Sequence, residues 1–154
     1  MEVADLLTPG AIRVCNAVKS KKRLFQDLAE IAAAAHEIDE SIAVDALQER
    51  ESLGPTGVGH GVALPHARID GIDRVRGVFV RLDRPLDYGS VDRAPVDLVF
   101  ALFAPVDAGV EHLKALALIS RTLRDPAVCA KLRANEESDA LFGILTETTD
   151  TKAA

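Results

Sequence analysis

The sequence has little of what a nucleic-acid-binding or membrane-spanning protein needs. It holds five phenylalanines, one tyrosine and no tryptophan in 154 residues, too few for a base-stacking platform, and they leave the core to Leu, Val, Ile and Ala. Positive charge is outnumbered, 18 Lys and Arg against 24 Asp and Glu for a net charge of -6. A surface that tracks phosphates or anionic lipid needs the opposite balance. Only two cysteines occur, Cys15 and Cys129, with no CxxC pair and no metal-ligand spacing, the usage of reduced structural thiols rather than of a disulfide framework. No apolar run approaches the roughly 18 residues of a membrane span. The first seven residues lack the basic start and apolar stretch of a signal peptide, so the expectation is a soluble, cytoplasmic chain without nucleic-acid or membrane partners.

What is present is ordinary for a folded domain: 48% hydrophobic and 27% charged residues. A chain of this length buries about 70% of the surface its unfolded form exposes. One domain over residues 1–154 is expected, with its core at about 3–146 and a frayed tail at 147–154. Lys19, Lys21, Lys22 and Arg23 form a basic run at a helix start, which reads as a solvated face.

Ser20 offers an N-cap for a helix in which Leu24, Leu28 and Ile31 recur at helical spacing up to about His36. Asp39 offers another for a helix through Ile42 and Leu47 to about Glu51, stopped by Gly54 and Pro55. Residues 54–61 carry four glycines and a proline and read as loop. Two strands follow, residues 76–82 and the nearly continuous apolar run 96–103, the second buried on both faces. Helical pattern returns at 110–123, Asp125-Pro126 is a cap followed by proline at the first helical position, and Ser138 caps a last turn or two. The fold class is α/β: a single domain with a mixed β-sheet flanked by helices on both faces.

Glycine, histidine and arginine concentrate at Arg50-Glu51, Gly57-Val58-Gly59-His60-Gly61 and Leu64-Pro65-His66-Ala67-Arg68. A glycine-rich loop can aim backbone N–H groups at an anion, or be a plain surface turn. It is neither GxxxxGK[ST] nor a GxGxxG opening a helix, so no nucleotide cofactor is implied. Pro65 holds its own φ and pushes Leu64 toward an extended conformation, so His66 leaves the end of a short strand at a fixed angle. A neutral imidazole keeps a nucleophilic lone pair near pH 7, and a guanidinium from Arg50 or Arg68 favours that neutral form.

The same residues resemble a known family, the enzyme IIA domains of the mannitol/fructose type in the bacterial phosphoenolpyruvate-dependent phosphotransferase system. The elements stand in family order: Glu49-Arg50-Glu51, Gly54-Pro55-Thr56-Gly57-Val58-Gly59, Val62-Ala63-Leu64-Pro65-His66, Gly77-Val78-Phe79-Val80, Pro95-Val96-Asp97-Leu98-Val99-Phe100-Ala101-Leu102 and Glu111-His112-Leu113. The resemblance implies that His66 accepts a phosphoryl group, that Arg50 is its guanidinium partner and His112 a second imidazole, and that Thr56, Gly57, Gly59 and His60 form a phosphoryl-binding loop beside them. It implies no metal and no cofactor. The chain is most similar to the nitrogen-regulatory branch, a histidine phosphocarrier rather than a turnover enzyme, with an HPr-like carrier as donor and regulatory proteins or a IIB domain downstream, as a monomer or weak homodimer. His60 stands where that branch leads one to expect Asn or an acidic residue. An apolar rim around His66, with Leu64 and Val58 as candidates, is the expected docking surface.

Three rivals stay open on the sequence: a sugar-specific IIA feeding a transporter, a non-covalent anion or nucleotide sensor, and a zinc hydrolase. The last would use His60, His66 and His112 as ligands and Asp70 or Asp73 as base.

Overall fold

The computed structural model describes residues 1–153, with side chains described for 1–147. Its centre is β6 (Val96–Pro105), in which every residue from Leu98 to Ala104 is fully buried. Burial of successive residues, whose side chains alternate between faces, means that both faces of the sheet are covered. On one edge β6 pairs antiparallel with β5 (Arg76–Leu86), and β5 pairs parallel with β1 (Ile12–Cys15). Gly77 of β5 has no side chain because the Phe100 ring lies where its Cβ would be.

The other edge of β6 carries two short parallel strands in succession, β3 (Val62–Ala63) beside Leu98 and Val99, and β4 (His66–Ile69) beside residues 102–105. Leu64 and Pro65 interrupt them. Proline has no N–H to give to a ladder, and here the Leu64 N–H turns away to the Thr56 carbonyl at 2.9 Å while the Pro65 carbonyl accepts from Leu102 at 3.0 Å. The break lets His66 begin a new strand, rather than end one as its position after Pro65 suggests. Outermost, β2 (Gly57–Gly59) pairs antiparallel with β3, so part of the segment expected to be loop is a sheet edge.

Helices α1 (Lys21–His36) and α2 (Glu40–Ser52) pack on each other, α1 against β5 and α2 against β4. Their caps are those the sequence offers: the Ser20 hydroxyl accepts from Arg23 N–H and the Asp39 carboxylate from Ile42 N–H, both at 3.0 Å. Helix α3 (Val110–Leu123) packs on β6, α4 (Pro126–Arg133) is capped by Asp125, and α5 (Ser138–Ala153) packs on β1. The last helix runs longer than the turn or two expected from Ser138. The expected tail at 147–154 falls mostly on residues whose side chains lie outside the described set, and residue 154 lies outside it altogether. No helix among the described residues is long and apolar enough to cross a membrane.

Candidate functional site

His66 opens β4 in the space between the last turns of α2 and the first turn of α3. A cavity of about 390 Å³ there is lined by Ala46, Glu49, Arg50, Leu53, His66, Ala67, Arg68 and His112. Three of the sequence-derived residues, His66, Arg50 and His112, are thus brought together from positions up to 62 residues apart.

His66 is half-buried, and its Nδ1 lies 2.8 Å from the Leu64 carbonyl. A carbonyl only accepts, so Nδ1 carries the proton and Nε2 keeps the free lone pair. Burial lowers the His66 pKa from its ordinary value, and the Arg50 guanidinium lowers it further. The ring is therefore neutral, with its nucleophilic nitrogen set by a backbone contact. Arg50 is held by its own helix end, its Nη1 donating to the Gly54 carbonyl at 3.0 Å.

The His112 ring stands edge-on to His66, centroids 5.5 Å apart at 69°. Arg68 Nε–H donates to His112 Nδ1 at 3.3 Å, which makes Nδ1 the acceptor and leaves the proton on Nε2. That buried Nε2 has no hydrogen-bond partner among the described residues. Burial, then His66, then Arg68 push the His112 pKa down to about 4, and its place in the first turn of α3 disfavours a cation further. The site therefore offers one free lone pair, one unpaired N–H donor and two guanidinium groups around an opening large enough for a tetrahedral anion. Such an arrangement suits capture and charge-balancing of a phosphoryl group.

The proposed binding loop sits elsewhere. Thr56 is buried, with its hydroxyl on Glu51 and Tyr88. A Cβ on Gly57 would collide with the Ser90 side chain. Gly59 and His60 line a separate groove of about 680 Å³ with Val58, Val62, Leu64, Ser120, Leu123 and residues of α4. His60 (φ 57°) and Gly61 (φ 81°) are the two-residue turn between β2 and β3, a pair of left-handed residues that a tight hairpin demands and that Asn fits best. The glycines thus serve a hairpin, and His60 is exposed, its N–H on Asp92 at 3.0 Å and its carbonyl on Arg133 at 2.8 Å. Among the described residues no three His, Cys, Asp or Glu side chains converge on a metal position.

The docking candidates also shift. Leu64 is buried and, with Val58, faces the second groove. Among the exposed apolar side chains, Leu53 lines the His66 cavity, Leu113 follows His112 in sequence, Val110 opens α3, and Val106 precedes α3 with its carbonyl 3.5 Å from Arg68 Nη1. The basic run is not wholly solvated either: Lys21 reaches inward to Glu51 at 2.8 Å. Tyr88, its neighbour, carried no signal in the sequence, because a lone aromatic after a strand has no periodicity to mark it.

A neutral imidazole with a free lone pair on a sheet edge, with a second imidazole and two guanidiniums around it, is an arrangement able to accept a phosphoryl group. Residues 5–148 match the family described as "Phosphoenolpyruvate-dependent sugar phosphotransferase system, EIIA 2", and the chain belongs to it. It is closely related to the family's nitrogen-regulatory IIA proteins. It is 46% identical over 145 residues to a nitrogen regulatory protein of Bradyrhizobium diazoefficiens, covering 94% of this chain and 95% of that one. With the nitrogen regulatory protein of Escherichia coli it shares 38% over 153 residues, covering 98% and 93%. The crystal structure of the nitrogen regulatory protein IIA-Ntr from Neisseria meningitidis superposes with a TM-score of 0.85 at 31% identity, covering 94% of this chain and 99% of that one.

Proposed function

We propose that this protein is a regulatory phosphocarrier of the cytoplasm, in which His66 Nε2 takes a phosphoryl group from the phosphohistidine of an HPr-like donor. The observation that carries the reading is the Nδ1–H contact of His66 to the Leu64 carbonyl, because it leaves Nε2 as the free nitrogen. The Nε2 lone pair attacks phosphorus as the donor's N–P bond breaks, and the bonding pair leaves with the donor imidazole. His66 then bears positive charge shared with its Nδ1–H, which the Leu64 carbonyl stabilises. The phosphoryl oxygens meet Arg50, Arg68 and the unpaired Nε2–H of His112, so the protein's contribution is positioning and charge balance. The exposed Leu53, Val106, Val110 and Leu113 form the rim on which the donor docks. Similarity to nitrogen regulatory proteins across nearly the whole chain supports the regulatory branch.

The test is to incubate the protein with phosphoenolpyruvate, enzyme I and HPr-type carriers and to follow an added phosphoryl mass. An acid-labile adduct that is absent in His66→Ala is expected, formed fastest with a nitrogen-regulatory carrier. No adduct with any carrier overturns the reading; efficient onward transfer to a sugar-specific IIB domain moves it to the transport branch.

A further inference from the structure

Glu51 is an almost buried carboxylate, its side chain 8% exposed, that lies outside the lining of the His66 cavity, although its charge acts on His66 against that of Arg50. Four donors converge on it. Its Oε2 accepts from Lys21 Nζ at 2.8 Å and from the Thr56 backbone N–H at 3.1 Å. Its Oε1 accepts from the Thr56 hydroxyl at 2.5 Å and lies 3.3 Å from the Tyr88 hydroxyl. Tyr88 is itself 2.8 Å from Thr56 Oγ1, and the Lys21 ammonium sits 4.3 Å above the Tyr88 ring. A carboxylate with its acceptor sites this fully used holds its neighbours rigidly.

The neighbour held hardest is Thr56, gripped through both its N–H and its hydroxyl. The Thr56 carbonyl accepts the Leu64 N–H at 2.9 Å, and the Leu64 carbonyl accepts His66 Nδ1–H at 2.8 Å. Leu64 has no ladder partner of its own on β6 at this point, because the strand breaks at Pro65. Its carbonyl is aimed from two sides, by the Thr56 carbonyl on the Leu64 N–H and by the Leu102 N–H on the Pro65 carbonyl, and Thr56 is the anchor on the Leu64 side.

From this connected path we propose that Glu51 is a positioning residue for phosphoryl transfer: it sets the tautomer of His66 through Thr56 and Leu64, and so decides which imidazole nitrogen is nucleophilic. This rests on His66 being the acceptor. Glu51 also follows Arg50 directly, so the same anchor steadies the turn of α2 that carries the guanidinium.

The tautomer is readable by 15N NMR of the His66 ring in the unphosphorylated protein, with no donor present. Wild type is expected to show a single Nδ1–H form. In Glu51→Gln an amide NH2 replaces one acceptor oxygen and faces donors it cannot serve. A mixture of the two tautomers is expected there, together with a fall of between about 10- and 100-fold in transfer rate at saturating donor, the donor's half-saturation changing by less than about threefold because the docking rim is untouched. Tyr88→Phe removes the longest contact to Glu51 and the hydroxyl contact to Thr56 but leaves the Thr56 N–H and hydroxyl bonds to Glu51 in place, and is expected to keep the wild-type tautomer. Should Glu51→Gln not fold, Thr56→Val removes the hydroxyl contacts to Glu51 and Tyr88 while keeping the backbone N–H bond to Glu51, and the mixed tautomer is expected in it. A single Nδ1–H tautomer in folded Glu51→Gln or in Thr56→Val, or a rate loss that Tyr88→Phe reproduces in full, overturns the proposal. If wild type shows the single tautomer but accepts no phosphoryl group, the function assigned to His66 fails while the positioning path stands.

Discussion

Lowering the pH isolates what burial does to His112. Its midpoint in the folded protein is about 4, against 6.5 for a free histidine. Above pH 6.5 the ring is neutral whether the chain is folded or not, and the difference has no effect on stability. Between 6.5 and 4 the unfolded chain binds a proton that the native state does not, so stability falls as pH falls, and below 4 the loss is complete. At 1.36 kcal/mol per pH unit over the two units from 6.5 to 4.5, the loss between pH 7.5 and 4.5 is on the order of 2 kcal/mol. Replacing His112 by Gln removes the titrating group. Lowered carboxylate charge affects both proteins alike, and the causes that depress His66, burial and Arg50, do not include His112. Urea unfolding of wild type and His112→Gln at the two pH values therefore isolates the effect: the variant is expected to lose about 2 kcal/mol less than wild type. Equal losses, or an NMR titration of the His112 ring centred near 6.5, would refute the neutral, Nε2-protonated ring inferred from its contact with Arg68.

Two further outcomes concern the frame of the site. Leu102 is fully buried in β6, opposite both Gly77 and His66, so Leu102→Ala is expected to cost about 2–5 kcal/mol in urea unfolding; a cost below about 1 kcal/mol would contradict two-sided burial of that strand. His60→Asn places Asn-Gly in a turn whose two residues both have positive φ. It is expected to stabilise by about 0.5 kcal/mol, seen as a higher Tm, whereas a loss of more than about 1 kcal/mol would mean that the imidazole makes a contact the turn depends on.

Helix ends and the central strand were legible because their causes are local. Ser20, Asp39 and Asp125 cap the helices they precede, and an unbroken apolar run such as 96–103 reads as a strand buried on both faces. The short strands were not. β2 and β3 are three and two residues long, below the length at which a period can be seen, and they exist because β6 offers an edge to pair with. The glycines of 57–61 left an anion loop and a plain turn both open for the same reason: the sequence shows that the backbone is free there, and not whether a phosphoryl group or the Ser90 side chain occupies the space.

His66 and Arg50, 16 residues apart, stood out by their types and by Pro65 directly before the histidine, and the order of motifs around them marked the family. By itself, then, the sequence determined the α/β class, the caps and the aliphatic core, and singled out His66 as the candidate acceptor. The tertiary structure alone decided the chemistry around that histidine. It brought His112 edge-on to His66 and set Arg68 against its Nδ1. It also buried Glu51 beneath the loop and swung Leu64 and Val58 to another groove while exposing Leu53 and Leu113. Protonation, tautomer and exposure depend on which atoms lie within a few ångströms of a group, and a linear sequence contains those distances only once β6 has paired with strands far from it in the chain.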